Sequence, residues 1–376
     1  MAGESRTLSY EYDLEGNRTR INHPGGVYFT YQRDGLNRVC TLGESAAAET
    51  CGTESPVFLL MRYSSEGRRD RIFRPGGSVT SYATDNALRL GSFTQDFAGP
   101  SNNTHDLTNG FGYNSASQIR QVTQSNLQYN YTEADNRVGA YGVDGLNRYT
   151  SIDGVPTSYD VNGNLTADGA GMTYTYDMEN RLVTTGGVAS TLTYDVLARL
   201  ARVAVAGTTT DFLYDGDALV GEYVGTTLTR RYVHSGGVDE PLVQYNGAVV
   251  GASHRRYLYA DYQGSIVAHS DNAGSVSQKN AYDPYGIPKS TNDGRFGYTG
   301  QTWISQLGLN YYKARFYAPK IGRFLQTDPI FYQDDTNLYA YVRSDPLNLS
   351  DPSGLNPGDP FLSPEAAALD SKSGRD

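Results

Sequence analysis

Along this chain apolar and polar residues trade places at almost every step, in short runs that stop at Gly, Asn, Asp or Pro. Tyr10 and Tyr12 flank Glu11, and Tyr174 and Tyr176 flank Thr175. A period of two is strand periodicity, because successive side chains on a strand point to opposite faces. The breaks are turn signals: Gly and Asn tolerate positive φ, and Asp bonds its own downstream backbone. Helix-favouring composition is nearly absent until EAAALDSK near the end, where one short helical turn is expected over residues 364–369. Loops are expected at 98–109 and 184–188, and a turn at 236–241 joining strands 231–234 and 242–245. The pattern predicts an all-β protein.

The alternation is organised in repeats. YDLEGNRTRINHPGG at residues 12–26 aligns without a gap to YSSEGRRDRIFRPGG at 63–77, and Tyr31, Asp34 and Arg38 correspond to Tyr82, Asp85 and Arg89. The piece from Tyr31 to Arg38 recurs from Tyr141 to Arg148. Tyr176, Asp177 and Arg181, then Tyr194, Asp195 and Arg199, give further copies. One unit reads as a β-hairpin. A Tyr-bearing strand enters an Asp-led turn, and the Arg opens the next strand, where it can reach an Asp or stack on a Tyr. A lone hairpin is marginal in water, so neighbouring units must pair edge to edge. The result is one long, coiling antiparallel sheet, with Tyr12, Tyr31, Tyr63 and Tyr176 in register along it.

Composition sharpens this picture. There are 376 residues, 31 of them Tyr and 42 Gly, enough for one large β domain or two smaller ones. A net charge of −10 with no basic patch argues against nucleic acid as a partner. No apolar run is long enough to span a bilayer, and MAGESRTLSYEYD has no apolar signal-peptide core. Cys40 and Cys51 end a Gly/Ala/Glu-rich loop; a disulfide could bridge it, but two plain thiols are the expected state. The five histidines show no ligand spacing, and no metal or cofactor is expected. Asp160, Asn162 and Asn164 begin like a calcium loop, but Leu165 stands where glycine is needed and Gly171 where a bidentate Glu is needed.

Residues 282–355 carry the candidate chemistry. Asp328, Asp345 and Asp351 each precede a proline, with Arg315 and Arg323 upstream. Carboxylates that converge on an arginine are the ingredients of acid–base hydrolysis, although Asp-Pro pairs also start ordinary turns. Here a family resemblance enters. The repeats are similar to the YD repeats of RHS proteins. The ordered series YDPYG, FGYTGQ, GLNYYKARFYAP, GRFLQTDPI, NLYAYV and DPSGL resembles the RHS-repeat-associated core domain. Related shells occur in polymorphic toxins, toxin-complex C subunits and teneurins.

The resemblance implies a hollow YD-repeat shell (residues 1–256), a core domain (257–355) acting as an aspartyl autoprotease, and a short, poorly ordered tail (356–376). It places a catalytic arginine on Arg315, two aspartates on Asp328 and Asp351, and the scissile bond between Leu355 and Asn356. The implied partners are the chain's own C-terminal segment or a toxin cargo, and secretion-system or toxin-complex proteins. Synthesis in the bacterial cytoplasm followed by delivery outside the cell is the implied route. Two departures stand out. Tyr262 replaces a histidine common in the family, and only 21 residues follow Leu355 where the family has a whole domain. The alternative is a structural or adhesion module that binds peptide or surface glycans, or a fragment without cargo.

Overall fold

The computed structural model describes residues 6–52, 57–97, 104–134, 139–237 and 239–358. Ten strands from Ser9–Tyr12 to Ile119–Gln124 form one sheet, and thirteen from Ser158–Tyr159 to Val276–Lys279 form another. A three-stranded piece lies between them in sequence, and a four-stranded sheet runs from Thr302–Ile304 to Arg323–Phe324. Among the described residues every sheet follows sequence order, every ladder is antiparallel, and the only helical pieces are 3-10 turns.

The repeat has a physical explanation in its turns. In the units of Asp34, Asp85, Asp144, Asp177 and Asp195, one carboxylate oxygen accepts the backbone N–H groups two and four residues on. The other oxygen accepts the Nε–H of the arginine four residues on, all at 2.8–3.0 Å. The arginine, so fixed, lies over the tyrosine of the next unit. Arg38 covers Tyr63, Arg89 covers Tyr113, Arg181 covers Tyr194 and Arg199 covers Tyr214, at 4.2–5.1 Å from the ring centre. Those four tyrosines in turn donate their hydroxyls to the carbonyls of Val39, Leu90, Leu182 and Leu200, the residues that follow the arginines, at 2.7–2.8 Å. Each hairpin is thus tied to its neighbour by three kinds of contact. Tyr176 makes the same bond to the Leu165 carbonyl (2.6 Å). Tyr12 is the exception: on the edge strand its ring is 59% exposed. The Asp160 segment is one more such turn, its carboxylate accepting the N–H groups of Asn162 and Asn164.

The later strands of the large sheet are covered on both faces. Val243, Tyr245, Tyr257 and Tyr259 pack against Phe29 of the ten-stranded sheet and against Phe58 and Phe97, which flank two of its strands. Tyr232, Leu258 and Ile266, on the opposite face, pack against Phe296, Ile304 and Leu309 of the C-terminal segment. This explains why Pro241–Asn246 and Ile266–Ser270 are buried almost throughout.

Three local expectations are corrected. Of the loop expected at 98–109, residues 98–103 lie outside the described residues and 107–109 belong instead to the strand Leu107–Tyr113, because Leu107 enters the core at 2% exposure. The loop expected at 184–188 belongs in part to the strand Leu182–Gly186, where the Thr185 hydroxyl is bonded to Ser190 and to the Val188 carbonyl. Cys40 and Cys51, expected as thiols, form a disulfide: the fold brings their Cα atoms to 5.5 Å, within bridging range. The helical turn expected at 364–369 lies outside the described residues.

Two outcomes follow. Tyr176→Ala removes a packed ring and a hydrogen bond and should cost about 3 kcal/mol in urea unfolding, whereas Tyr176→Phe should cost about 1 kcal/mol. Reducing the Cys40–Cys51 bridge reopens an 11-residue separation and should lower stability by about 3 kcal/mol. A Cys40→Ser/Cys51→Ser variant that unfolds at the wild-type urea concentration would contradict that.

Candidate active site

Arg315 immediately precedes the strand Phe316–Ala318, at the end of a turn in which the Tyr312 N–H bonds the Arg315 carbonyl (2.9 Å). Phe324 from the next strand lies under its guanidinium at 3.8 Å. Asp328 follows that strand. Its N–H donates to the Leu338 carbonyl (3.1 Å), and its Oδ1 accepts the Ile330 N–H (2.9 Å), the first free amide beyond Pro329. Asp351 turns the chain again: its Oδ1 accepts from Gly354 N (2.9 Å), Leu355 N (3.1 Å) and the Ser353 hydroxyl (3.2 Å).

Both aspartates therefore use one oxygen locally and present the other to Arg315. Asp328 Oδ2 lies 2.7 Å and Asp351 Oδ2 3.7 Å from Arg315 Nη2. The remaining arginine donors hold the backbone, Nε to the Gly354 carbonyl (2.6 Å) and Nη1 to the Leu338 carbonyl (3.1 Å). All three side chains are nearly closed to solvent, at 2–4% exposure. Burial pushes the carboxyls of Asp328 and Asp351 above the usual range, against the opposing Arg315 charge. The same burial lowers the arginine's affinity for its proton, against the pull of both carboxylates. The Asp351 charge adds to the upward shift at Asp328.

The chain is held on both sides of residue 355. The peptide before it is clamped by Asp351 and Arg315. Beyond it, Gly358 exchanges two backbone hydrogen bonds with Ser350, of 2.7 and 3.0 Å. Leu355 is half-buried and Asn356 exposed at the outer side of this closed loop. Only glycine fits at 354: its φ is +72°, and a Cβ there would stand 2.6 Å from the Tyr312 carbonyl oxygen.

Three participants were not evident in the sequence. Lys313 donates to the Pro352 carbonyl (2.6 Å) and to Gln301 Oε1 (3.1 Å), and it is ion-paired to Asp239. Asp239 sits in the turn at 236–241, which reads as a simple connection; nothing local marks it. Arg323 and Asp345, the other candidates, lie elsewhere. Arg323 stacks on Tyr149 at 3.7 Å, and the Asp345 carboxylate accepts from the Asn348 amide (2.8 Å). Tyr262, where the family often has histidine, packs edge-on against Phe111.

Hairpins in sequence order, stapled by Asp–Arg turns and stacked Tyr rings, define a YD-type shell. The Teneurin YD-shell family profile matches residues 94–347, and the chain belongs to that family. It is 31% identical over 230 residues to the tRNA3(Ser)-specific nuclease WapA of Bacillus spizizenii, a match covering 56% of this chain and 9% of WapA. It is 36% identical over 111 residues to toxin subunit YenC1 of Yersinia entomophaga, covering 27% of this chain and 11% of the subunit. The chain thus spans about a tenth of these relatives. The Photorhabdus luminescens Tc holotoxin pore superposes with a TM-score of 0.67 at 17% identity, over 93% of this chain and 21% of that one, which is a likeness of fold.

Gly354→Ala should free the Gly354 and Leu355 amides from Asp351. Hydrogen exchange at those two positions should accelerate at least tenfold, while the amides of the strand Leu182–Gly186 keep their protection.

Proposed function

We propose that residues 257–355 form a self-processing aspartyl protease that cuts the Leu355–Asn356 bond once, in cis, at the end of a shell retaining a C-terminal toxin or effector segment. The observation that carries this reading is the joint hold of Arg315 and Asp351 on the peptide entering Leu355, with Asp328 on the same guanidinium nitrogen. In the proposed step one carboxyl of the pair is ionised and takes a proton from water. The hydroxide adds to the Leu355 carbonyl carbon. The protonated carboxyl donates to the carbonyl oxygen, and after collapse the proton moves to the Asn356 nitrogen, which leaves as an amine. Arg315 keeps both carboxylates in place and stabilises the negative charge. Lys313, through the Pro352 carbonyl, steadies the loop, so that proximity replaces substrate binding. The relatives' names as toxins and toxin subunits support delivery outside a bacterial cell within a toxin system.

Intact mass after expression tests the proposal. The wild-type chain should end at Leu355; Asp328→Asn and Asp351→Asn should stay full length with unchanged β content, and Arg315→Ala should be uncut or cut far more slowly. Asp345→Asn should still be processed, since an asparagine at 345 can accept the same bond from Asn348. Because both pKa values are raised, the singly protonated pair persists to higher pH than ordinary carboxyls allow. The rate should therefore be bell-shaped in pH, falling on the alkaline side only where the raised pair loses its last proton, and again in acid once both are protonated. A wild-type chain that stays full length across this range would leave the triad as a purely structural clamp.

A further inference from the structure

Away from the triad, one face of the large sheet carries a polar stripe. Cross-strand register puts Glu222 opposite Arg230, Arg230 opposite Asn246, Gln244 opposite Arg256, and Leu258 opposite His269. Residues two apart on a strand share a face, so Glu222, Arg230, Asn246, Gln244, Arg256 and His269 all lie on the face where the C-terminal segment packs. That segment does not cover the stripe completely. A cavity of about 570 Å³ remains, walled by the strands and by the loop Asp293, Gly294 and Arg295.

The charges in this cavity are unequally matched. Glu222, 2% exposed, is gripped by Arg295 through two bonds of 2.8 and 2.9 Å and accepts the Tyr232 hydroxyl. Arg230 reaches the same carboxylate only at 3.5 Å, and its side chain is 37% exposed. Arg256 has neither a hydrogen bond nor an ion pair among the described residues. Asp293, the second carboxylate of the wall, is exposed at the mouth. Two guanidiniums thus face the cavity with one weak partner between them. A buried group nearby is also incomplete. His269 is 1% exposed, and neither ring nitrogen has a hydrogen-bond partner. Its ring lies under Gly294, with Cε1 and Nε2 3.1 and 3.4 Å from where a Cβ at 294 would stand. Buried polar atoms are rarely left so in a finished site.

We propose that this cavity is a binding site for a small oxyanion-bearing ligand. Its carboxylate or phosphate would sit between Arg230 and Arg256, its other polar groups would meet Gln244 and Asn246, and binding would be felt at His269. Planar guanidiniums suit both oxyanions, and the volume suits a ligand of monosaccharide size. The inference is independent of the cleavage reading.

Calorimetric titration of the full chain with glucuronate, with inorganic phosphate and with neutral glucose tests it, with His269 ring resonances followed by NMR. Saturable binding of glucuronate or phosphate, weakened at least tenfold by Arg256→Gln or by Arg230→Gln at unchanged melting temperature, with shifted His269 resonances, is the expected result. Glucuronate alone would identify a carboxylate ligand, and phosphate alone a phosphorylated one. No saturable binding of either, binding equal to that of glucose, or binding unchanged in both variants would overturn the proposal.

Discussion

The fold depends on one relay, repeated at turn after turn: an aspartate that closes its own turn, an arginine fixed by that aspartate, and a tyrosine of the next hairpin beneath the arginine. Its aspartate and arginine are partly exposed, at 20–31% for Asp85, Asp177, Arg89 and Arg199, so each ion pair alone contributes little. Its effect comes from geometry. The carboxylate's two backbone bonds set the turn, and the turn sets where the guanidinium points. The tyrosine hydroxyl then locks the register to the carbonyl beside that arginine. A slip of one residue would break all three contacts and turn every buried side chain outward. Register is thereby specified hairpin by hairpin, and a sheet of thirteen strands can form from nearest-neighbour contacts alone.

This locality explains what the sequence disclosed. The spacing from Tyr to Asp to Arg lies within one unit, so the hairpins, their antiparallel order and the Asp-led turns could be read directly. Structure and sequence pattern diverge where the deciding contact is distant. Leu107 looks like loop from its neighbours and is a core residue only because the sheet folds over it. The cysteines could not be paired from spacing alone, because the approach of Cys40 to Cys51 depends on how the strand Val39–Glu44 enters the sheet.

The candidate site shows the same division. Arg315, Asp328 and Asp351 were named through family resemblance, and the structure brings the three together around one guanidinium. Their supports were hidden. The carbonyls of Leu338 and Gly354 carry no side-chain signal, and Asp239 reaches Lys313 from 74 residues away. Arg323, closer than Arg315 to the Asp-Pro pairs in sequence, is drawn off to Tyr149.

Burial gives the triad a character that the turn aspartates lack, although both use the same parts. In a turn, as at Asp85, the arginine partner and backbone N–H groups hold the carboxyl below its usual range. At Asp328 and Asp351 the same two kinds of partner are present, yet desolvation outweighs them and both carboxyls move up. The difference is the cover above. Phe324 shields the guanidinium, and Arg315 must divide one positive charge between two carboxylates while holding two carbonyls. One cation faces two buried carboxylates, so its pull on each is outweighed by desolvation. The pairing that staples hairpins at the turns thus holds carboxyls low when it is single and partly exposed, and lets them rise when it is doubled and buried around one arginine.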